Sequence, residues 1–165
     1  MRIGYHRRTT SMWDFNMKTK NEITIDADRQ AVWRVFDNAG NISKWQPTLK
    51  SFTHKSGPSG QPGSVAELVY EENGREIVMT ETMTEKRKPD FMAGIYDSNL
   101  GKAIIVNHFA TLDENKTQWV VYANRQFKGM MKLMSIFMRK SICRRTEEDM
   151  QRFKLLVESV TAEEA

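Results

Sequence analysis

The stretch "NEITIDADRQAVWRVFDNAGNISKWQP", residues 21–47, changes from a strand pattern to a helix pattern within one short segment. Isoleucines alternate with polar residues in its first part, which is typical of a half-buried strand. Asp26 and Asp28 are good N-caps for the helix that should follow. Apolar residues in that helix recur at i, i+3 and i+4, and they are Val32, Val35 and Phe36. We expect Gly40 to end this helix, and residues 41–49 to form a second short helix or turn that stops at Pro47.

Downstream of this segment, residues 64–127 alternate between strand patterns and turn signals. Residues 55–63 have the composition of a loop, and Asn73-Gly74 between two apolar runs is the strongest short signal for a β-hairpin. A second pair of strands is predicted around a turn at residues 98–101, and residues 113–116 turn into a last strand at 117–127. From Gly129 to about Val160 the apolar residues recur at helical spacing without an internal Pro or Gly.

These elements predict an α+β fold with one strongly curved antiparallel sheet of six to seven strands. The sheet should wrap around the long C-terminal helix, with two short helices after strand 1. A single helix can bury its apolar stripe only against the concave face of such a sheet. Because one helix is narrower than the sheet, the space left between them predicts an internal cavity.

Composition and charge limit what this chain of 165 residues can be. With 39% hydrophobic and 28% charged residues, it is typical of one soluble globular domain, and it has no apolar run long enough for a transmembrane helix. The chain carries 25 basic and 21 acidic side chains, but five of the basic and one of the acidic ones lie in the first 20 residues. The rest is net neutral, so we expect no nucleic-acid partner and no stable insertion into a membrane.

The termini and the single cysteine complete this prediction. We expect residues 1–19 to be an N-terminal tail, disordered or preceding a later true start at Met12 or Met17, and residues 20–161 to be one domain. Cys143 has no partner for an internal disulfide, and the N-terminus has no apolar segment of the secretory type. Together these features predict a cytoplasmic protein.

Three stretches resemble the START-like superfamily, also called SRPBCC or the helix-grip fold, and the polyketide cyclase/dehydrase and lipid-transport-like branch in particular. They are "ITIDADRQAVWRVFDNAGNISKWQP" at the start, "ETMTEKRKPDFMAG" in mid-chain and "MQRFKLLVES" near the end, with Thr117 opening the last strand. The family usually has proline where this chain has Asp28. The resemblance implies a helix-grip fold with a deep cavity for an apolar or amphipathic ligand. Family members include carriers, receptors and cyclases, so the fold does not choose among these functions.

Alternation in the strands selects candidate cavity residues. In the last strand the more apolar set is Trp119, Val121, Ala123, Arg125 and Phe127, which places Arg125 inward. A buried Arg needs a partner, and Glu81 is predicted to pair with it or to bind the polar head of a ligand, unless a bulge leaves both charges in solvent. For residues 103–112 two registers stay open, one turning Asn107 inward and the other His108.

No compact catalytic or metal-binding set is found. His6, His54 and His108 are isolated in sequence, Cys143 lacks a nearby base, and there is no glycine-rich phosphate loop. We therefore expect no metal and no cofactor, and we assign no catalytic residue. Binding is favoured over catalysis.

The methionine-rich start of the long helix, "GMMKLMSIFMRK" at residues 129–140, is predicted to border the cavity, since methionine adapts to irregular shapes. Met131 and Lys132 are predicted to face away from it. The predicted lining of the cavity is Phe36, Trp45, Tyr70, Met79, Glu81, Met83, Tyr96, Asn107, Phe109, Trp119, Val121, Arg125, Met130, Met134, Phe137 and Met138.

The sequence thus predicts a domain that binds a small hydrophobic or amphipathic ligand, as a carrier or sensor. An aromatase/cyclase or dehydratase that uses the same cavity is the alternative, with Arg125 and a tyrosine polarising carbonyl groups. A protein-interaction module that uses the long helix and the basic tail is a third reading. Homodimer formation is left open.

Overall fold

The computed structural model describes residues 16–164 and contains one antiparallel sheet of seven strands. The strands are β1 Asn16–Ile25, β2 Leu49–Ser56, β3 Val65–Glu72, β4 Arg75–Arg87, β5 Phe91–Ser98, β6 Gly101–Asp113 and β7 Lys116–Phe127. The helices are α1 Arg29–Phe36, α2 Ile42–Trp45 and α3 Met131–Glu164, with a 3-10 turn at Ala39–Asn41. The α+β class, the curved sheet, the two short helices and the long C-terminal helix are confirmed.

The sheet is built from consecutive hairpins and closed at one side by its first strand. Its order is β1-β7-β6-β5-β4-β3-β2, so β1 pairs with the last strand rather than with β2. Helices α1 and α2 span this crossover from one edge of the sheet to the other. They therefore lie at one end of the concave face, with α3 along it.

Local signals explain the first helix. The Asp28 carboxylate accepts hydrogen bonds from the backbone N–H groups of Gln30 (2.9 Å) and Ala31 (3.0 Å), as an N-cap does. The prediction that Gly40 ends the helix is wrong, because α1 ends at Phe36. The Asn38 side chain then accepts from the Gly40 N–H at 2.9 Å and caps a separate 3-10 turn.

The hairpin at Asn73-Gly74 is confirmed. Glu72 pairs with Arg75 across the turn, and both central residues have positive φ, 52° for Asn73 and 73° for Gly74. That combination matches the right-handed twist of the flanking strands, and Asn and Gly adopt it at the lowest cost. The turn predicted at residues 98–101 is also present, with Ser98 paired to Gly101.

Strand β1 begins at Asn16, four residues before the predicted domain boundary at residue 20, and pairs with β7 along its whole length. Met17 and Thr19 are buried there, so they are part of the sheet and not of a tail. The rest of the predicted tail, residues 1–15, lies outside the described residues.

The core is an aromatic cluster at the end of the concave face that α1 and α2 cover. The Trp119 and Phe153 rings lie 4.8 Å apart between centroids, and those of Phe36 and Phe109 lie 4.9 Å apart. Tilted and edge-on contacts of this kind stabilise ring pairs beyond their buried area. The cluster consists of Trp33, Phe36, Trp45, Phe109, Trp119 and Phe153.

Within residues 16–164, no helix has the length and apolar character needed to cross a membrane.

Candidate ligand cavity

A cavity of about 510 Å³ lies between the concave face of the sheet and α3, next to the aromatic cluster. Strands β2 to β7 supply its floor, and α3 supplies its roof from Met131 to Met150. The walls are mainly apolar, with a few polar side chains among them. This size and this lining are typical of sites for small molecules.

Most of the predicted lining residues do border this cavity. They are Phe36, Trp45, Tyr70, Met79, Glu81, Met83, Tyr96, Asn107, Trp119, Val121, Arg125 and Met138. Phe109 does not, because it is fully buried between Trp33 and Trp119 in the aromatic cluster. In β6, Asn107 is the inward residue and His108 is exposed, which settles the register that the sequence left open.

The predicted cavity face of α3 is wrong at its first turns. Met130, Met134 and Phe137 point to solvent, with Phe137 86% and Met130 77% exposed. Met131, predicted to face away, lines the cavity together with Met138 and Ile142. Ser135 is buried on this same side, and its hydroxyl donates to the Lys132 carbonyl at 2.7 Å. A serine whose hydroxyl is hydrogen-bonded within its own helix can lie on the buried face. The prediction followed the number of apolar residues and therefore chose the exposed face of α3 as the cavity face.

Glu81 and Tyr96 form the polar centre of the sheet floor. They are direct cross-strand neighbours on β4 and β5, and the Tyr96 hydroxyl hydrogen-bonds the Glu81 carboxyl. Burial raises the pKa of Glu81, and the bond from Tyr96 opposes this only in part. Burial also raises the pKa of Tyr96. The pair therefore favours a neutral carboxyl group inside the apolar cavity.

The predicted pairing of Glu81 with Arg125 is wrong. Strands β5 and β6 separate the two residues, which corresponds to about 14 Å across three strand spacings. Arg125 Nη1 instead donates to Thr19 Oγ1 at 2.9 Å, on the neighbouring strand β1. Burial lowers the pKa of the Arg125 guanidinium, and the nearby Cys143 opposes the shift.

A second polar group connects the cavity to α3 and was missed by sequence reasoning. Arg145 forms an ion pair with Glu72 and donates to Thr48 Oγ1 at 2.6 Å. Asp149 accepts from Arg152 Nη1 at 2.7 Å, and burial raises its pKa to about 6 although Arg145 and Arg152 oppose the shift. Both Arg145 and Asp149 border the cavity from a charged stretch of helix, where no strand alternation marks an inward face.

Two further hydrogen bonds hold wall residues in place. The Trp119 indole N–H donates to Asn107 Oδ1 at 3.1 Å within the buried core. The Tyr70 hydroxyl donates to Gln46 Oε1 at 2.8 Å, and burial raises the pKa of Tyr70. These buried polar groups of the cavity wall therefore have hydrogen-bond partners within the protein and do not need a ligand to supply them.

Comparison with known proteins gives similarity at the level of structure. No family model and no curated protein matches the sequence. Among solved structures, the Zhui aromatase/cyclase from Streptomyces sp. R1128 is similar with a TM-score of 0.72 and 14% identity, over 87% of this chain and 94% of that chain. A START superfamily protein from Mycobacterium smegmatis is similar with a TM-score of 0.72 and 14% identity, over 87% and 98%.

The fold is the helix-grip fold. Ginseng major latex-like protein 151 from Panax ginseng shares it at a TM-score of 0.58 and 13% identity, over 81% of this chain and 97% of that chain. The fold expected from the three resembling stretches of the sequence is thereby confirmed. At these identities the similarity concerns the helix-grip fold alone, and the chemistry has to be argued from the cavity.

Proposed function

We propose that this helix-grip domain binds a small hydrophobic or amphipathic molecule in the cavity between the sheet and α3, as a carrier or sensor. The observation that carries the proposal is the cavity itself, about 510 Å³ between mainly apolar walls with few polar groups. Transfer of apolar ligand surface from water into such a site contributes about 25 cal/mol per Å².

The methionines of the wall suit a ligand that varies in shape. Met79, Met83 and Met92 lie on the sheet side, and Met138 lies on α3. An unbranched, polarisable side chain can follow different ligand outlines at little cost. We expect the domain to accept a series of related apolar molecules rather than a single one.

The alternative function is an aromatase/cyclase or dehydratase that holds a polyketide-like chain in the same cavity. The feature that favours it is the buried Glu81 carboxyl, whose pKa is raised by burial and which is hydrogen-bonded to Tyr96. A neutral carboxyl or a tyrosine can donate a proton or a hydrogen bond to a substrate carbonyl, and Arg125 can polarise one. Turnover of a poly-keto mimic that is lost in Glu81→Gln and Arg125→Ala would favour this alternative over a carrier.

Location and partners follow from the same proposal. The lone Cys143 is consistent with a reducing compartment, and we propose a cytoplasmic protein whose main partner is a small hydrophobic ligand. Nucleic acid is not part of this proposal, because the excess of positive charge lies in the first 20 residues.

A cavity-filling substitution tests the binding proposal. Ala103 borders the cavity on β6, whereas its neighbour Ile104 is exposed on the outer face. We expect Ala103→Phe to weaken binding of dodecan-1-ol by about tenfold or more in calorimetric titrations, and the matched Ile104→Phe to leave it unchanged. Thermal unfolding checks that both variants fold. Equal affinity in the two folded variants would place the ligand outside the cavity and contradict the proposal.

A further inference from the structure

Hydrogen-bond donors and acceptors are unequally engaged in the cavity wall. The acceptors already have partners: Gln46 Oε1 accepts from Tyr70, Asn107 Oδ1 accepts from Trp119, and the Glu81 carboxyl accepts from Tyr96. The Trp45 indole N–H, by contrast, is buried without a hydrogen-bond partner among the described residues. These three acceptors are therefore engaged, whereas not every donor of the wall is used.

Arg125 is the strongest of these donors. Its guanidinium has five N–H groups, and its one hydrogen bond among the described residues goes to Thr19. No carboxylate of residues 16–164 lies within ion-pair distance of it, although its side chain borders the cavity. A partly buried cation without a counter-charge is costly, and a bound anion would remove that cost.

The surroundings of Arg125 are also suited to an anion. Arg125 pairs with Ala103 on β6, a small residue that leaves room above the sheet floor. Lys102, which precedes Ala103 and is exposed to solvent, also borders the cavity. Trp119 lies six residues away on the same strand, about 20 Å along it. The cavity thus runs from a cationic end at Arg125 to an aromatic end at Trp119.

We infer that the ligand is an amphipathic carboxylic acid whose carboxylate binds Arg125 and whose apolar tail extends along β7 toward Trp119. This inference rests on the proposed binding function and adds the chemical class of the ligand. Arginine and a carboxylate can form two parallel hydrogen bonds, which fixes the head group while the methionine-lined wall adapts to the tail.

Matched ligands with one chain length test the inference. Dodecanoic acid and dodecan-1-ol, both below their micellar concentrations, are titrated calorimetrically into the wild-type protein, Arg125→Met and Lys18→Met. Met keeps the length of the side chain and removes its charge. Lys18 is exposed on β1 beside Thr19, so its variant removes a neighbouring positive charge from the outer face.

We expect the wild type and Lys18→Met to bind the acid about tenfold more tightly than the alcohol, and Arg125→Met to bind the two equally. Retained binding of the alcohol shows that the variant keeps a folded cavity. Equal binding of acid and alcohol by the wild type, or a preference that survives in Arg125→Met, would overturn the inference while leaving the binding function intact. Failure of the wild type to bind either molecule would overturn the proposed function as well.

A different observation concerns the outside of α3. Four large apolar residues recur at i, i+3, i+4 and i+7, from the residue before α3 into its first turns. All are exposed to more than half of their surface, and they are Met130, Leu133, Met134 and Phe137. We call them the outer stripe. It lies on another side of the helix from Met131, Met138 and Ile142, which face the cavity. Exposed apolar clusters of this kind mark interaction surfaces.

The charged residues around the outer stripe indicate which kind of partner it binds. Every charged residue from position 128 to position 145 is basic. Lys128, Arg144 and Arg145 form ion pairs with Asp97, Glu148 and Glu72, whereas Lys132, Arg139 and Lys140 have no ion pair among residues 16–164. A second copy of this chain would bring the same positive charges together, which disfavours self-association. An anionic lipid surface would attract the basic residues through its head groups and could bury the apolar side chains that lie between them.

We propose that the outer stripe docks reversibly onto an anionic lipid surface and inserts its apolar side chains at the head-group level. Because Met131 borders the cavity beside the stripe, docking would bring that end of the cavity close to the bilayer. This proposal does not depend on the carboxylate preference of Arg125.

Vesicle sedimentation tests the docking. We compare phosphatidylcholine vesicles with and without phosphatidylglycerol, using the wild type, the double variant Met134→Ser/Phe137→Ser, and Leu155→Ser. Leu155 is also largely exposed on α3 but lies outside the outer stripe. We expect the wild type and Leu155→Ser to sediment with the anionic vesicles only, and high salt or the double substitution to release the protein.

Equal sedimentation of the double variant, or no sedimentation of the wild type, would overturn the docking proposal. So would light scattering that shows a wild-type dimer which the double substitution dissociates, because a second copy would then cover the outer stripe.

Discussion

At the residue scale, several polar side chains in the cavity wall are hydrogen-bonded to one another in pairs. Asn107 and Trp119 are both buried, and their bond at 3.1 Å joins β6 to β7 beside the aromatic cluster. A buried donor that loses its acceptor keeps its full desolvation cost. The pair therefore positions the Trp119 ring as well as satisfying two polar groups.

We predict that Asn107→Leu lowers the free energy of unfolding by about 1–3 kcal/mol, because the Trp119 N–H is left without an acceptor. Urea unfolding measures the change. In a Trp119→Phe background no donor remains, so the same substitution should cost less. An equal cost in both backgrounds would mean that the hydrogen bond is not the source of the loss.

Asp149 provides a prediction for pH. Burial raises its pKa from 3.8 to about 6 in the folded protein, so the folded state holds a proton that the unfolded state has already lost in this range. Its contribution to stability is therefore present below about pH 4 and is lost as the pH rises toward and through 6. Asp149→Asn should remove this dependence. Between about pH 4 and pH 6 the melting temperature of the wild type should fall, relative to that of the variant, as the pH rises. A constant difference between the two melting temperatures would contradict the assignment.

The sequence identified most of the wall residues but not their partners. Alternation along β7 correctly placed Trp119, Val121 and Arg125 on one face, because side chains alternate with a period of two. It could not show that Glu81 lies beside Tyr96 and far from Arg125, since that depends on strand order and register. Pairing is a property of the sheet and is not encoded in one strand.

At the element scale, α3 has two apolar faces, whereas one was predicted from its sequence. The face with more methionine and phenylalanine, the outer stripe, is exposed, whereas the buried face includes Ser135. Further along, the helix returns to one clear stripe in which Met150, Phe153 and Val157 are fully or almost fully buried. The distribution of apolar residues predicted the buried face of α3 correctly only where the helix has a single apolar face.

Substitution of two phenylalanines on α3 tests this assignment. Phe153→Ala should cost about 3–5 kcal/mol in urea unfolding, because it leaves a hole in the aromatic cluster. Phe137→Ala should stay within about 0.5 kcal/mol of the wild type, because its ring is exposed. The milder Phe153→Leu preserves the comparison if the alanine variant is too unstable. A larger loss of unfolding free energy in Phe137→Ala than in Phe153→Ala would contradict this assignment.

Elements with strong local chemistry were predictable, and an element with weak patterning was not. Asn73-Gly74 and Asp28 each specify a local geometry, and the structure has a turn and a helix start there. Strand β2 was not assigned, because Leu49 is its one buried residue and the strand lies at the edge of the sheet. An exposed edge strand shows little alternation, so only its pairing with β3 reveals it.

At the scale of the whole molecule, the cavity follows from the mismatch between one helix and a wide, curved sheet. Helices α1 and α2 fill one end of the concave face with the aromatic cluster, and α3 covers the rest without filling it. The topology was therefore enough to predict an internal space. Its polar groups depend on individual residues, which the topology does not specify.

Methionine methyl signals test the central claim most directly, because methionines lie both in the cavity wall and outside it. The protein is labelled with ¹³C at the methionine methyl groups and titrated with dodecanoic acid below its micellar concentration. We predict that the signals of Met79, Met83 and Met138 shift, and that those of Met130 and Met134 do not. Shifts confined to Met130 and Met134, or no shift at any methionine, would contradict a ligand-binding cavity.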